Sequence, residues 1–391
     1  MEKIKICDVC DILNGYAFKS ENYVDSGIRI IRIANVQKGY IEDTSPAFYP
    51  LNATGLDRYR LVKNDLLISL TGNVGRVALL DQSLLPATLN QRVACLRLKT
   101  DKVTKKYLYH ILNSDFFERQ CIQAAKGVAQ KNMSTEWLKD YEIPLCAKEE
   151  QEKIIKVLDC VQRIIVNYKQ KLQKLDELVK SRFIELFGNP ISNPMKWDIY
   201  QLEECLDRID NGKSFICSDK PRTGDNPAIL KLSAATYGDY RPNENKALLD
   251  ESLFVESAEV HAGDLLFTRK NTPELVGMAA YVQNTPPKLM MPDLIFRLVP
   301  NEKVNAVFLW QLINCKEFRP VIQAISGGSA KSMSNISKER LGKIKVICPP
   351  RELQDSLIPF VKRVDKSKLA IQQSLEKLET LKKALMQQFF G

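Results

Sequence analysis

Ile122–Ser134 reads IQAAKGVAQKNMS, and Ile322–Ser334 reads IQAISGGSAKSMS. Outward from this pair the likeness continues. Upstream, YLYHILN (Tyr107–Asn113) answers FLWQLIN (Phe308–Asn314), and downstream each half runs through a leucine-rich stretch to ELFG at Gly188 or QQFFG at Gly391. Aligning Ile122 with Ile322, Met133 with Met333, Leu172 with Leu375 and Gly188 with Gly391 gives an offset that grows from 200 to 203. The chain is one plan written twice, which implies two equivalent tasks.

A chain of 391 residues exceeds one compact core, and the duplication supplies the boundary. The net charge of +10 favours a polyanionic partner. No apolar run approaches the roughly 20 residues that span a bilayer, and MEKIKICDVC lacks a signal-peptide core, so a soluble cytoplasmic chain without a membrane partner is expected. The ten cysteines are expected to be reduced. Cys7 and Cys10 form a CxxC, but His110 and His261 are the only histidines and no second ligand pair exists, so both cysteines are assigned to a first helix and no metal site is expected.

Glu149, Glu150 and Glu152 follow Pro144, which places acids in a first helical turn. Ile154, Leu158, Val161, Ile165, Tyr168, Leu172, Leu175 and Val179 then recur at steps of four and three, the a/d pattern of a coiled coil. Leu357, Val361, Val364, Ile371, Leu375, Leu378 and Leu385 keep that phase in the second half, with Lys368, Lys382 and Phe389 in the same row. Such a helix from Glu150 to Phe187 has about 38 residues and is roughly 57 Å long, more than a domain of ordinary size is wide. It needs a partner, and a repeat-related pair closing about a pseudo-two-fold predicts an antiparallel coiled coil. Packing of each stripe on its own domain is the alternative. Lys368, Lys382 and Arg182 are costly in a dry seam, so they either fix register or face another subunit.

Ahead of each helix lies a mixed segment. Strands are expected near 28–33, 66–70, 76–80 and 93–98 with a helix over 104–119, and again near 228–232, 265–267, 278–282 and 294–298 with a helix over 305–318. The fold class is α+β: two tandem repeats, each a mixed domain followed by a long helix. The expected domains are 1–148, 149–188, 189–350 and 351–391.

The chemistry of catalysis is missing. No GxxxxGK[ST] cradles a triphosphate, since TGNVGR (Thr71–Arg76) lacks the lysine, and no GxGxxG is present. The Asn/Asp-Pro-Pro-aromatic signature by which amino-methyltransferases hold a flipped base is absent. Pro292 and Asp293 could open a nuclease motif, but no Glu/Asp-x-Lys follows, which favours a strand start.

The tandem plan, the segments KNDLL (Lys63–Leu67) and AGDLLF (Ala262–Phe267), and the paired loops GVAQKNMS and GGSAKSMS resemble the specificity subunits of type I restriction-modification enzymes. The resemblance covers essentially the whole chain. It implies a non-catalytic reader of double-stranded DNA, in which each target-recognition domain meets one half of a bipartite asymmetric site and the helices set the spacer. It also implies two modification subunits that bring S-adenosylmethionine and methylate adenine, and restriction subunits that bring ATP-driven translocation with magnesium. No cofactor is expected on this chain.

Base edges are read by Arg, Lys, Asn and Gln, and phosphates are held by cations and backbone amides. The candidates in the first half are Lys19, Asn73, Arg76, Gln91, Arg92, Lys126, Gln130, Lys131 and Asn132; in the second they are Lys213, Arg269, Lys270, Asn271, Ser329, Lys331 and Asn335. Lys131 and Lys331 are expected on phosphate. Any single one of these is equally readable as a solvated loop residue, with Asn73 capping its own turn. A tandem-repeat interaction scaffold that does not bind DNA is the competing function.

Overall fold

The computed structural model describes residues 2–125, 132–327 and 333–391. The chain forms two compact units, residues 1–170 with 371–391, and residues 171–370.

In unit 1, β1 (Glu2–Lys5) leads through α1 (Ile6–Val9) into β2 (Cys10–Asn14), followed by β3 (Ile28–Ile31), β4 (Phe48–Tyr49), β5 (Arg60–Leu61), β6 (Leu66–Ser69), β7 (Val77–Leu79), β8 (Ala87–Leu89) and β9 (Val93–Leu98). Then come α2 (Lys105–Leu112), α3 (Asp115–Ala124), α4 (Thr135–Asp140), β10 (Glu142–Leu145) and the start of α5 (Lys148–Phe187). One sheet has the order β2-β9-β6-β7, a second the order β4-β3-β8-β5 with β3 and β8 parallel, and β1 pairs with β10. The run LLIS in β6 is buried throughout because both its faces are covered. Leu66 and Ile68 pack towards α2, α3 and the ends of the long helices. Leu67 packs towards the small sheet.

Unit 2 repeats this order: β11 (Asp198–Gln201), β12 (Leu206–Asn211), β13 (Ala228–Leu230), β14 (Asn245–Ala247), β15 (Leu265–Thr268), β16 (Lys270–Asn271), β17 (Ala279–Tyr281), β18 (Leu289–Met290) and β19 (Ile295–Pro300). They are followed by α6 (Ala306–Asn314), α7 (Arg319–Ala324), β20 (Ser334–Asn335), α8 (Lys338–Gly342), β21 (Lys345–Cys348) and α9 (Arg351–Phe390). The sheet β12-β19-β15-β17 matches that of unit 1, and in β15 Leu265 and Phe267 face one core while Leu266 faces the other.

Each single helix expected ahead of a long one is in fact two. Helix 104–119 breaks at Asn113, and Ser114 restarts it by accepting a hydrogen bond from the Phe117 N–H at 3.1 Å. In the second half the break follows Asn314, and Pro320 sits in the first turn of α7. Cys7 lies in α1, but Cys10 opens β2 rather than continuing the helix. All ten cysteines are free.

Both long helices are continuous over 40 residues, even though α9 contains Pro359. Their pairing is antiparallel within each unit. In unit 1 Lys382 Nζ donates to Gln162 Oε1 at 2.7 Å, and Lys169 pairs with Glu379 at 3.0 Å. In unit 2 Lys368 Nζ donates to Asp176 at 2.6 Å, and the Arg182 guanidinium lies 6.0 Å from the Phe360 ring. The seam cations therefore have partners on the facing helix.

Seam and core readings both apply. Ile154, Leu158, Val161, Ile165, Val179, Leu357, Val361 and Val364 are buried, whereas Tyr168, Leu172, Leu175, Ile371, Leu375, Leu378 and Leu385 are half-buried. Past Val179 the inward row becomes Phe183 and Phe187, and in α9 it is Met386 and Phe390 rather than Leu385 and Phe389. There the helix is surrounded by a domain core and follows its own 3.6-residue period instead of a two-helix seam.

A buried glutamine fixes the start of each long helix. Gln151 Oε1 accepts from the Thr104 N–H at 2.9 Å, and its amide donates to the Lys102 and Cys146 carbonyls at 2.8 and 2.9 Å. Gln354 makes the same three bonds with the Asn305 N–H, Lys303 and Pro349 at 2.9, 2.8 and 2.8 Å.

Candidate nucleic-acid interface

The segments KNDLL and AGDLLF turn the chain into the central strand of each main sheet. Asp65 accepts from the Val62 N–H at 2.8 Å, and Asp264 accepts from the His261 N–H at 2.8 Å. Each then holds an arginine from the neighbouring strand, Arg97 at 2.6 Å and Arg297 at 2.9 Å. Both aspartates thus anchor a turn and a strand pair, placing the strand ends beyond them.

At those ends in unit 1, three separate segments meet. Thr71 bridges to Asn132, with Thr71 Oγ1 3.2 Å from Asn132 Oδ1, and the Met133 N–H donates to the Leu70 carbonyl at 2.8 Å. On the other side the Leu70 N–H donates to the Arg92 carbonyl at 3.0 Å, and the Gln91 N–H to the Tyr16 carbonyl at 2.9 Å. Asn132, Thr71, Arg92, Gln91 and Tyr16 thus stand side by side, with Asn73 on the adjoining turn. The side chains of Asn73, Gln91 and Arg92 are exposed.

Unit 2 builds the same edge from other residues. Ser334 and Asn335 pair with Asn271 and Lys270, the Ile336 N–H donates to the Arg269 carbonyl at 2.8 Å, and the Arg269 N–H donates to the Leu294 carbonyl at 2.9 Å. The Lys213 N–H donates to Met291 at 2.9 Å, as that of Tyr16 does to Leu89 at 2.8 Å. Lys213 is exposed. Asp293, in the turn that carries Gln91 in unit 1, accepts from Ser214 Oγ at 2.5 Å and lies 3.9 Å from Lys270 Nζ.

These bonds also correct the repeat register. Met133 matches Ile336, not Met333, since each donates to the strand-end carbonyl and each is buried, whereas Met333 is half exposed. Ser134 and Ser337 then cap α4 and α8 alike. The offset of 203 is already complete there, which makes Asn132 and Asn335 true equivalents.

Several candidates are occupied by internal contacts. The Arg76 guanidinium donates to Gln37, and Asn271 is buried, donating to Thr236 Oγ1 at 3.1 Å while accepting from the Thr272 N–H at 2.8 Å. Arg269 bonds Asn335 Oδ1 at 3.3 Å and lies over the Phe296 ring. Lys19 is exposed beside Glu21. The turn amides do not await phosphate either: the Gly75 N–H donates to Ser69 and that of Gly277 to Thr268 at 2.9 and 2.8 Å. Both glycines have positive φ, and a Cβ would strike Cys121 or Ile322 beneath. Lys126, Gln130, Lys131, Ser329 and Lys331 lie outside the described residues. Sequence reading offered neither Tyr16 nor Ser214, and it took Asp293 for a strand start rather than a residue of this edge. NGYAFKS (Asn14–Ser20) and NGKSF (Asn211–Phe215) share a start that aligns the two segments, but nothing local showed that they adjoin the 90–92 and 292–294 turns.

A family model described as "Type I restriction modification DNA specificity domain" matches residues 1–177. Over 174 residues the chain is 30% identical to the type I restriction enzyme EcoEI specificity subunit of Escherichia coli, covering 44% of this chain and 29% of that relative. Against the putative type I restriction enzyme MjaX specificity subunit of Methanocaldococcus jannaschii, identity is 23% over 405 residues, covering 97% of this chain and 90% of the relative. The chain therefore spans less than a third of the first relative and nearly all of the second. In fold it is similar to the crystal structure of a type I restriction-modification S subunit from M. genitalium, with a TM-score of 0.58, 16% identity, and coverage of 100% and 96% of the two chains. The domain model falls on the first half and the long alignment runs through both, so residues 1–177 match a type I restriction-modification DNA specificity domain and the chain is similar along its length to a specificity subunit.

Proposed function

We propose that this chain is the DNA-reading subunit of a type I restriction-modification complex. Each unit meets one half of a bipartite, asymmetric duplex site, and the long helices set the spacer and dock two modification subunits that methylate adenine. S-adenosylmethionine binds those partners, and ATP with magnesium binds the restriction subunits; this chain positions the chemistry without performing it. One observation carries the reading. The same strand-end edge is built twice on one framework, yet its polar side chains differ: Thr71, Gln91, Arg92 and Tyr16 in unit 1 against Lys270, Asp293 and Lys213 in unit 2, where Leu294 stands at the place of Arg92. A constant frame with variable polar side chains is what reading two different half-sites requires.

Sequencing methylated adenines in cells carrying this chain with its modification subunit should reveal one two-part motif with unlike halves. Duplex affinity of the assembled protein should fall by orders of magnitude between about 50 and about 200 mM salt as condensed counterions reclaim the phosphates. Salt-independent binding with no motif would favour an interaction scaffold instead.

A further inference from the structure

Asp293 presents a puzzle on a surface assigned to DNA. A carboxylate there repels phosphate, and the chain as a whole is basic, with a net charge of +10. The side chain is nevertheless placed with care. It occupies the turn between β18 and β19, where the Ile295 N–H closes on the Pro292 carbonyl at 3.1 Å, as the Val93 N–H closes on Asn90 at 2.9 Å around Gln91. Ser214 Oγ donates to Oδ1 at 2.5 Å, fixing the carboxylate plane. Oδ2 lies 3.9 Å from Lys270 Nζ, too far for a hydrogen bond, and the side chain is 45% exposed. One oxygen is thus held, and the other belongs to a partly exposed carboxylate and has no hydrogen bond among the described residues.

We infer that Asp293 reads a base edge in the half-site of unit 2 by accepting a hydrogen bond from the exocyclic amino group of a cytosine. In the major groove that N4 amine is the donor to which carboxylates are suited, while the acceptor edge of guanine repels them. Lys270 beside it offsets the charge against the flanking phosphates. Gln91, at the same place in unit 1, carries both a donor and an acceptor and suits adenine, so one turn serves two half-sites with different side chains. This inference rests on the DNA-reading function proposed above.

The test uses the full chain assembled with its modification subunits, mapping methylated sites for the parent, Asp293→Asn and Asp293→Gln. Both substitutions preserve the turn, and Asn keeps the Ser214 contact; matched thermal melting confirms that each variant folds. The parent should show a cytosine at one defined position of one half-site. Each variant should lose that preference by roughly tenfold or more at that position alone, the scale of one base contact, with Gln shifting it towards adenine and the other half-site unchanged. An unchanged motif in both variants overturns the inference while leaving DNA reading intact. So does loss of methylation at every sequence by variants that melt like the parent, because removing one reader relaxes a position rather than abolishing a site. If the parent itself yields no motif, the underlying function fails instead.

Discussion

His110 and Gln311 occupy matching places in α2 and α6, and the histidine brings a pH dependence that the glutamine does not. His110 is buried, with Nε2 2.8 Å from Asp159 Oδ1, and Lys106 and Lys382 are the neighbouring cations. Burial holds its imidazolium below the ordinary histidine range despite the help of Asp159. The unfolded chain therefore takes up a proton near pH ~6.5, before the folded chain does. Stability contributed by the neutral ring is fully present above that pH and drains away as pH falls towards the folded value. His110→Gln should make the melting temperature less sensitive to acid: between pH 7 and pH 5 the variant should gain on the parent. A constant difference across that range would refute the assignment. Single residues were also where sequence was least legible. The aspartates of KNDLL and AGDLLF stood out as repeated, yet their roles as anchors for Arg97 and Arg297 depend on strand pairing that no local pattern displays.

At the scale of elements the helices were the legible part. Heptads survive in sequence because a seam demands apolar residues at fixed steps, whatever lies elsewhere. Their ends were less legible, because the inward row shifts to Phe183, Phe187, Met386 and Phe390 where domain cores surround the helix. The break at Ser114 was hidden for a similar reason: a capping serine inside an apolar periodic run looks like an interior polar residue until its hydrogen bond is seen. The two buried glutamines continue the a/d rows one step back from Ile154 and Leu357, as polar residues in an apolar stripe, and they set where α5 and α9 begin. Gln354→Leu would strand the Asn305 N–H and two carbonyls without partners, for a loss of about 2–3 kcal/mol. The same change at the exposed Gln373 should stay within about 0.5 kcal/mol. Equal denaturation midpoints for the two variants would show that Gln354 is no anchor.

Across the whole molecule, duplication was legible because both copies keep the residues that build the frame, and the candidate edge was not, because it is assembled from segments separated by dozens of residues. The frame also makes a prediction about length. α5 is one helix of 40 residues whose first turns lie in the core of unit 1 and whose last turns lie in the core of unit 2. Between them, Tyr168 and Leu172 are only half-buried, so lengthening there leaves both cores alone. A heptad inserted at Leu172 together with a second at Ile371 in α9 preserves seam phase to about 20° and adds roughly 10.5 Å, or about three base pairs. Three base pairs also turn the duplex by about 100°, so the second half-site no longer faces its reader squarely and must be twisted or bent into place. If the helices set the spacer, methylome sequencing of this variant should return both half-sites unaltered, a spacer longer by about three base pairs, and slower methylation. An insertion in one helix alone mispairs the seam and should lose methylation altogether. Full-rate methylation at the parental spacing by the doubly lengthened chain would remove the helices from any part in measuring DNA.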